Sequence, residues 1–218
     1  MENSSTGFTL LEFWVMGGIV MWPLLIFSIA AVGITLERGI YLAYHNLRLG
    51  DLKKKVEEAL QNNNLAEARE YLESCSKRRM GARILLILVN RAGLSEHRLE
   101  KAVEAEAISC ISSLESGFNF LTALGSISPL TGFLGTVTGM IGAFKSIAEA
   151  VDVNAQIVAS GIYEALITTV FGLVIAIIAM SAHSLFTNKV DKFASELEIV
   201  CSDLIIKITE SRAGGNEN

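Results

Sequence analysis

Residues 116–144 read SGFNFLTALGSISPLTGFLGTVTGMIGAF, and not one of them is an Asp, Glu, Lys or Arg. A helix needs roughly 20 apolar residues to cross a bilayer, so the stretch is long enough to span. It is nevertheless not the Leu/Ile/Val run that a lipid-facing helix uses. The heptapeptide LGTVTGM, 134–140, places two glycines and two threonines at membrane depth, and Pro129 comes shortly before it.

Working outward, two more spans appear. FWVMGGIVMWPLLIFSIAAVGITL, 13–36, carries no charge between Glu12 and Glu37, and the region from Ala165 to Asn188 carries none after Glu164. The whole chain of 218 residues is 51% hydrophobic and only 19% charged, a membrane-protein balance. No Lys or Arg precedes the first apolar run, which is also too long for a signal-peptide core, so it is read as a span. A net charge of −5 argues against nucleic-acid binding. Cys75, Cys110 and Cys201 follow no metal or redox spacing and read as small apolar residues.

The fold class expected is an all-α integral membrane protein with three transmembrane helices. Spans two and three extend far into the cytoplasm, beside a cytoplasmic helical hairpin insert. Positive charge sets the orientation: 13 Lys and Arg lie between Arg38 and Lys101, none precedes them, and the loop after span two has only Lys145. The expected segments are therefore an outer, periplasmic N-terminus at 1–12 and helix one at 13–36. A cytoplasmic helical segment at 37–116, helix two at 117–146 and an outer loop at 147–156 follow. Helix three covers 157–187, a cytoplasmic amphipathic helix 188–210, and a disordered tail 211–218.

Within the insert, DLKKKVEEALQNNNLAEAREYLES predicts a helical hairpin turning at the three asparagines, with Val56, Leu60, Leu65, Ala68 and Leu72 on apolar faces. ARILLILVN, bracketed by Arg83 and Arg91, is too short to span and is expected to pack on other helices. Ser95 reads as an N-cap with Glu96 in the first turn and Leu94 and Leu99 as a hydrophobic staple. No breaker is seen from there to Pro129, so one continuous helix is expected from Ser95 to about Ser146. Val190, Phe193, Leu197, Val200, Leu204 and Ile208 recur every three to four residues and predict a helix carrying on from span three.

Small and polar residues form stripes on spans two and three, among them Gly132, Gly135, Gly139 and Gly172, and such faces let helices approach closely. Spans two and three are antiparallel neighbours joined by a short loop centred near 152–153. Thr136 and Thr169 each lie about 16 residues from that centre, which predicts two hydroxyls at one depth, a polar track. Glu164 is the one carboxylate near membrane depth, about 8 Å outward of Thr169, with Lys145 able to face it. An interfacial glutamate is the plainer reading of it, and His183 reads as interfacial. No carboxylate sits at mid-membrane in any span. If protons pass here, a partner must bring the protonatable group to the threonine level.

SPLTGFLGTVTGMIGAF followed by GIYEALITTVFGLVIAI resembles the two signature helices of the MotA/TolQ/ExbB proton channel family. VMWPLLIFSIAAVGITLER is similar to the first span of its ExbB/TolQ branch. The resemblance implies a ring of subunits, commonly a pentamer, around the single-span helices of an ExbD/TolR-type partner that carries an aspartate. It implies proton-path roles for Thr136 (GTV), Thr169 (EALxxT) and Glu164 (EAL), and pore or packing roles for Pro129 and the four glycines. It also implies a bacterial inner-membrane location and no cofactor beyond the proton motive force. Three positions depart from the pattern: Thr131 follows Pro-Leu, Ile178 replaces a common proline, and His183–Ser184 replace a frequent Tyr-Asn.

The function expected is a proton-channel subunit coupling proton motive force to work on the envelope, through a TonB- or TolA-like protein. The alternative is a non-conducting oligomeric scaffold in the lipid bilayer that docks cytoplasmic partners. An enzyme is not expected, because no nucleophile–base pair, metal spacing or phosphate loop is present.

Overall fold

A computed structural model of the chain describes residues 18–62, 64–149 and 155–215. The expected N-terminus at 1–12, the start of helix one at 13–17, most of the outer-loop apex at 150–154 and the last three residues lie outside them. Seven helices make up the described structure: α1 Met21–Tyr44, α2 Gly50–Gln61, α3 Leu65–Cys75, α4 Met80–Asn90, α5 Glu96–Glu115, α6 Phe118–Glu149 and α7 Ala155–Gly215. No strand occurs among the described residues. Three helical stretches, Met21–Tyr44, Glu96–Glu149 and Ala159–Arg212, are long and apolar enough to cross a membrane. The chain is thus an all-α membrane protein with three candidate spans.

The chain divides into two compact units, residues 1–37 with 117–184 and residues 38–116 with 185–218. In the first, α6 and α7 pack along facing stripes. Leu121, Gly125, Ser128, Gly132, Gly135 and Ala143 are buried on α6, and Ala165, Thr168, Gly172, Ala176, Ala179 and Ala182 on α7. The steps of three and four keep each set on one helix face. Bulky residues point away from that seam: Phe133, Val137 and Ile141 on α6 and Leu166, Val170 and Ile177 on α7 are exposed. Pro129 sits inside α6, half-buried, without ending it. Among the described residues, helix α1 starts at Met21, after a turn at Gly18, whose φ of 66° favours glycine. Met21, Leu24 and Ala31 are its buried face.

The second unit follows the sequence expectations closely. Helices α2 and α3 form the hairpin and turn at the asparagines, where the Asn64 N–H donates to Ala59 O at 2.9 Å. Leu52, Val56, Ala59, Ala68 and Leu72 are buried there, while Leu60 and Leu65 are only half-buried. Helix α4, the ARILLILVN segment, packs against α2, α3 and α5. It buries Ile84, Leu85 and Leu88 completely, which explains an apolar helix too short to span. All six stripe residues of the tail, Val190 to Ile208, are buried. The helix then carries on to Gly215, so 211–215 are not the disordered tail expected.

The expected continuity of the second span is overturned as well. The segment from Ser95 is not continuous to Ser146, because α5 ends at Glu115 and α6 starts at Phe118. Ser116 turns to ψ 132° and Gly117 takes φ 85°. A left-handed residue ends the run of helical backbone, and only glycine adopts that conformation without a steric cost. Ser95 does stand at the α5 N-terminus with extended backbone, although its side chain makes no capping bond.

Candidate functional site

The α6–α7 seam is close because its contact residues lack bulk. A methyl group on Gly132 would lie 2.7 Å from Thr168 O and 3.0 Å from Thr169 Cα, and one on Gly172 would lie 3.2 Å from Gly132 Cα. Gly139 faces Ala165, Gly161 faces Ala143, and Gly135 faces the Thr168 side chain. These glycines are therefore occupied in packing within one chain.

That closeness brings hydroxyls of α7 onto the backbone of α6. Thr169 donates to Gly132 O at 3.1 Å. Thr168 is buried and shares its proton between Ala165 O at 2.8 Å and Gly132 O at 3.2 Å. One carbonyl thus serves two hydroxyls, and in a regular helix it also faces the Thr136 N–H. Thr136 itself is half-buried and donates to Phe133 O at 2.6 Å. Among the described residues the Thr136 and Thr169 hydroxyls do not bond each other.

Thr169 stands opposite Gly132, four residues from Thr136, an offset of about one turn or roughly 6 Å. The two are not at quite the equal depth counted from the loop, because packing between small residues, and not loop symmetry, sets the register. Thr168 has no role expected from the sequence, and Gly132 O is a backbone atom that no side-chain pattern announces.

Glu164 is half-buried on the first turns of α7 and lines a cleft of about 680 Å³ with Thr138, Ser146, Ser160 and the glycines 135, 139 and 142. Gly18 makes the room for it, since a side chain there would overlap the carboxylate. Lys145, expected across from it, lies 3.9 Å from Glu149 instead, one turn along its own helix. His183 is half-buried with its ring edge-on to Phe118, centroids 6.1 Å apart. No group of three His, Cys, Asp or Glu side chains among the described residues could hold a metal.

A pair of helices, uncharged over 118–144 and 165–188, packed through glycines and carrying hydroxyls against a backbone carbonyl, is matched by known proteins. Residues 52–199 match the MotA/TolQ/ExbB proton channel family, a stretch that includes all of α6 and α7 as far as residue 199. The chain belongs to that family. Members similar to it include the putative biopolymer transport protein ExbB-like 1 of Synechocystis sp., 34% identical, covering 88% of this chain and 78% of that one. The biopolymer transport protein exbB1 of Vibrio cholerae is 32% identical over 83% of this chain and 80% of its own length. The Tol-Pal system protein TolQ of Haemophilus influenzae is 42% identical over a shorter stretch, 37% of this chain and 36% of that one. Membership in the family supports a proton-channel, energy-transducing role at a membrane.

Proposed function

We propose that this chain is the ring-forming subunit of an inner-membrane proton motor, with Asp-bearing helices of an ExbD/TolR-like partner in the pore of a homo-oligomer, a pentamer in the family pattern. The observation that carries the proposal is the pairing of a charge-free α6–α7 seam with hydroxyls at Gly132 O and no carboxylate at that level. Hydroxyls accept and relay hydrogen bonds but do not hold a proton's charge, so the charged intermediate needs a carboxylate from outside the chain. Thr136 and Thr169 are the hydroxyls offered to it, and Glu164 in its cleft is the outer station. Pro129, Gly132, Gly135, Gly139 and Gly172 hold the seam together. The N-terminus faces the periplasm and the 37–116 insert the cytoplasm, as the Lys/Arg bias favours.

Each proton crossing releases about 2.3 kcal/mol per 100 mV, which is available to move the partner. The output is TonB- or Tol-type work on the envelope, transmitted through a TonB- or TolA-like protein. Relatives named for biopolymer transport and for the Tol-Pal system are both similar to the chain.

A second reading, a non-conducting scaffold, draws support from the same seam. Its glycines are taken up within one chain, and the hydroxyls of Thr136, Thr168 and Thr169 all have carbonyl partners. Proton flux into vesicles separates the two. With the Asp-bearing partner the chain conducts, and alone it is nearly tight. A scaffold gives no added flux with the partner, and strong flux from the chain alone would contradict the need for a partner carboxylate.

A further inference from the structure

In the second unit, a pocket of about 510 Å³ opens between the end of α1, the 45–49 connection and α7, lined by His45, Arg48, Lys189, Lys192 and Glu196. Lys189 is the first charge on α7 after the uncharged run that ends at Asn188. It donates to Leu42 O at 3.2 Å, which fixes the end of α1 at that same level. The pocket therefore lies where two candidate spans leave the hydrocarbon and meet the headgroup layer.

Its surroundings are those of an interface. The His45 ring lies 4.3 Å from the Tyr41 ring and 5.4 Å from the Tyr44 ring. Arg38 covers Tyr41 and Arg78 covers Tyr44, at 5.3 and 5.7 Å. Aromatic residues with a polar tip concentrate at this depth of a bilayer. Ile40 and Tyr44 are 70% and 58% exposed beside it, a surface suited to acyl chains.

Three permanent cations, Arg48, Lys189 and Lys192, face one carboxylate, Glu196, so the pocket carries an excess of positive charge. Among the described residues, the side chains of Arg48 and Lys192 have no ion-pair partner. We propose that this pocket binds the phosphodiester of an anionic phospholipid, with Arg48 and Lys192 as the donors and Lys189 joining them from its place on Leu42. Basic pockets at the mouth of a helix bundle recognise such headgroups through charge-assisted hydrogen bonds. The proposal rests on α1 and α7 crossing the bilayer, and not on proton conduction.

The test uses the full chain in nanodiscs of phosphatidylcholine with or without phosphatidylglycerol, read by lipid retention and by melting temperature. The unaltered chain retains phosphatidylglycerol preferentially and melts higher with it. The double variant R48Q/K192Q, whose replaced side chains have no ion-pair partner among the described residues, melts like the unaltered chain in phosphatidylcholine alone. It binds phosphatidylglycerol roughly thirty-fold more weakly, while Lys54→Gln, away from the pocket, changes nothing. Three results overturn the proposal: equal retention of both lipids by the unaltered chain, an unchanged preference in the double variant, or equal protection by inorganic phosphate. None of these readouts involves proton flux, so their failure leaves the motor reading standing.

Discussion

The Thr169 hydroxyl donates to Gly132 O across the α6–α7 seam at 3.1 Å, and Thr168 donates to the same oxygen. A buried polar group in a bilayer must find its partner inside the protein, and here two side chains converge on one carbonyl. The convergence is available only because Gly132 and Gly172 let the two backbones touch. Sequence, packing and candidate chemistry meet at this point.

Adding a methyl group at Gly132 should break that arrangement. The new atom meets backbone atoms of Thr168 and Thr169, which cannot rotate away as a side chain can. Gly132→Ala is expected to lower stability by about 1–3 kcal/mol and to lower proton-driven output with it. Gly33→Ala is the control, because nothing lies within 4 Å of its added atom. Melting in detergent should show a clear drop for the first and none for the second.

Acid should loosen the docking of the α2–α3 hairpin on the end of α7. Asp203 accepts from Lys53 at 2.7 Å and Lys207 at 3.0 Å, and these bonds hold its carboxyl below the usual range. A lowered folded-state pKa stabilises above the unfolded value and is lost as pH falls through the folded one, so the effect fades below about pH 4. Melting temperature followed from neutral pH downward should fall more steeply there for the unaltered chain than for Asp203→Asn. Identical slopes would remove this pair from the account. The Asp203 side chain is partly exposed, so added salt should shrink the difference.

Thiol labelling should discriminate sharply among the cysteines. Burial pushes the Cys110 thiol up to about 11 and the Cys201 thiol up to about 12, whereas Cys75 is half-exposed. Only the thiolate reacts, so one fast modification at Cys75 is expected in the folded chain at neutral pH, with the other two appearing on denaturation. Fast labelling at Cys201 would show that α7 is not packed as described.

Periodicity made much of this legible. The tail stripe from Val190 to Ile208 and the hairpin around the asparagines are amphipathic patterns with a single helical reading, and the whole stripe and three of the five hairpin residues, Val56, Ala68 and Leu72, are buried. The break at Ser116–Gly117 was not legible, because glycine in a small-residue-rich span serves for packing as readily as for a turn. Thr136 and Thr169 could be singled out as hydroxyls in a charge-free region. Their offset of about one turn could not, since register is set by contacts such as Gly132 on Thr169. The acceptor that joins Thr168 and Thr169 belongs to a glycine, whose letter carries no polar signal.

The central claim is that the Thr169 hydroxyl serves the proton path and is more than an internal strut. Proton flux into vesicles should be measured for the complex with its Asp-bearing partner, comparing Thr169→Val with Thr169→Ser. Valine keeps the shape and removes the donor, while serine keeps the donor. The account predicts that the serine complex conducts, and that the valine complex assembles with an unchanged melting temperature but falls to the flux of partner-free vesicles. Undiminished flux in the valine complex would contradict it.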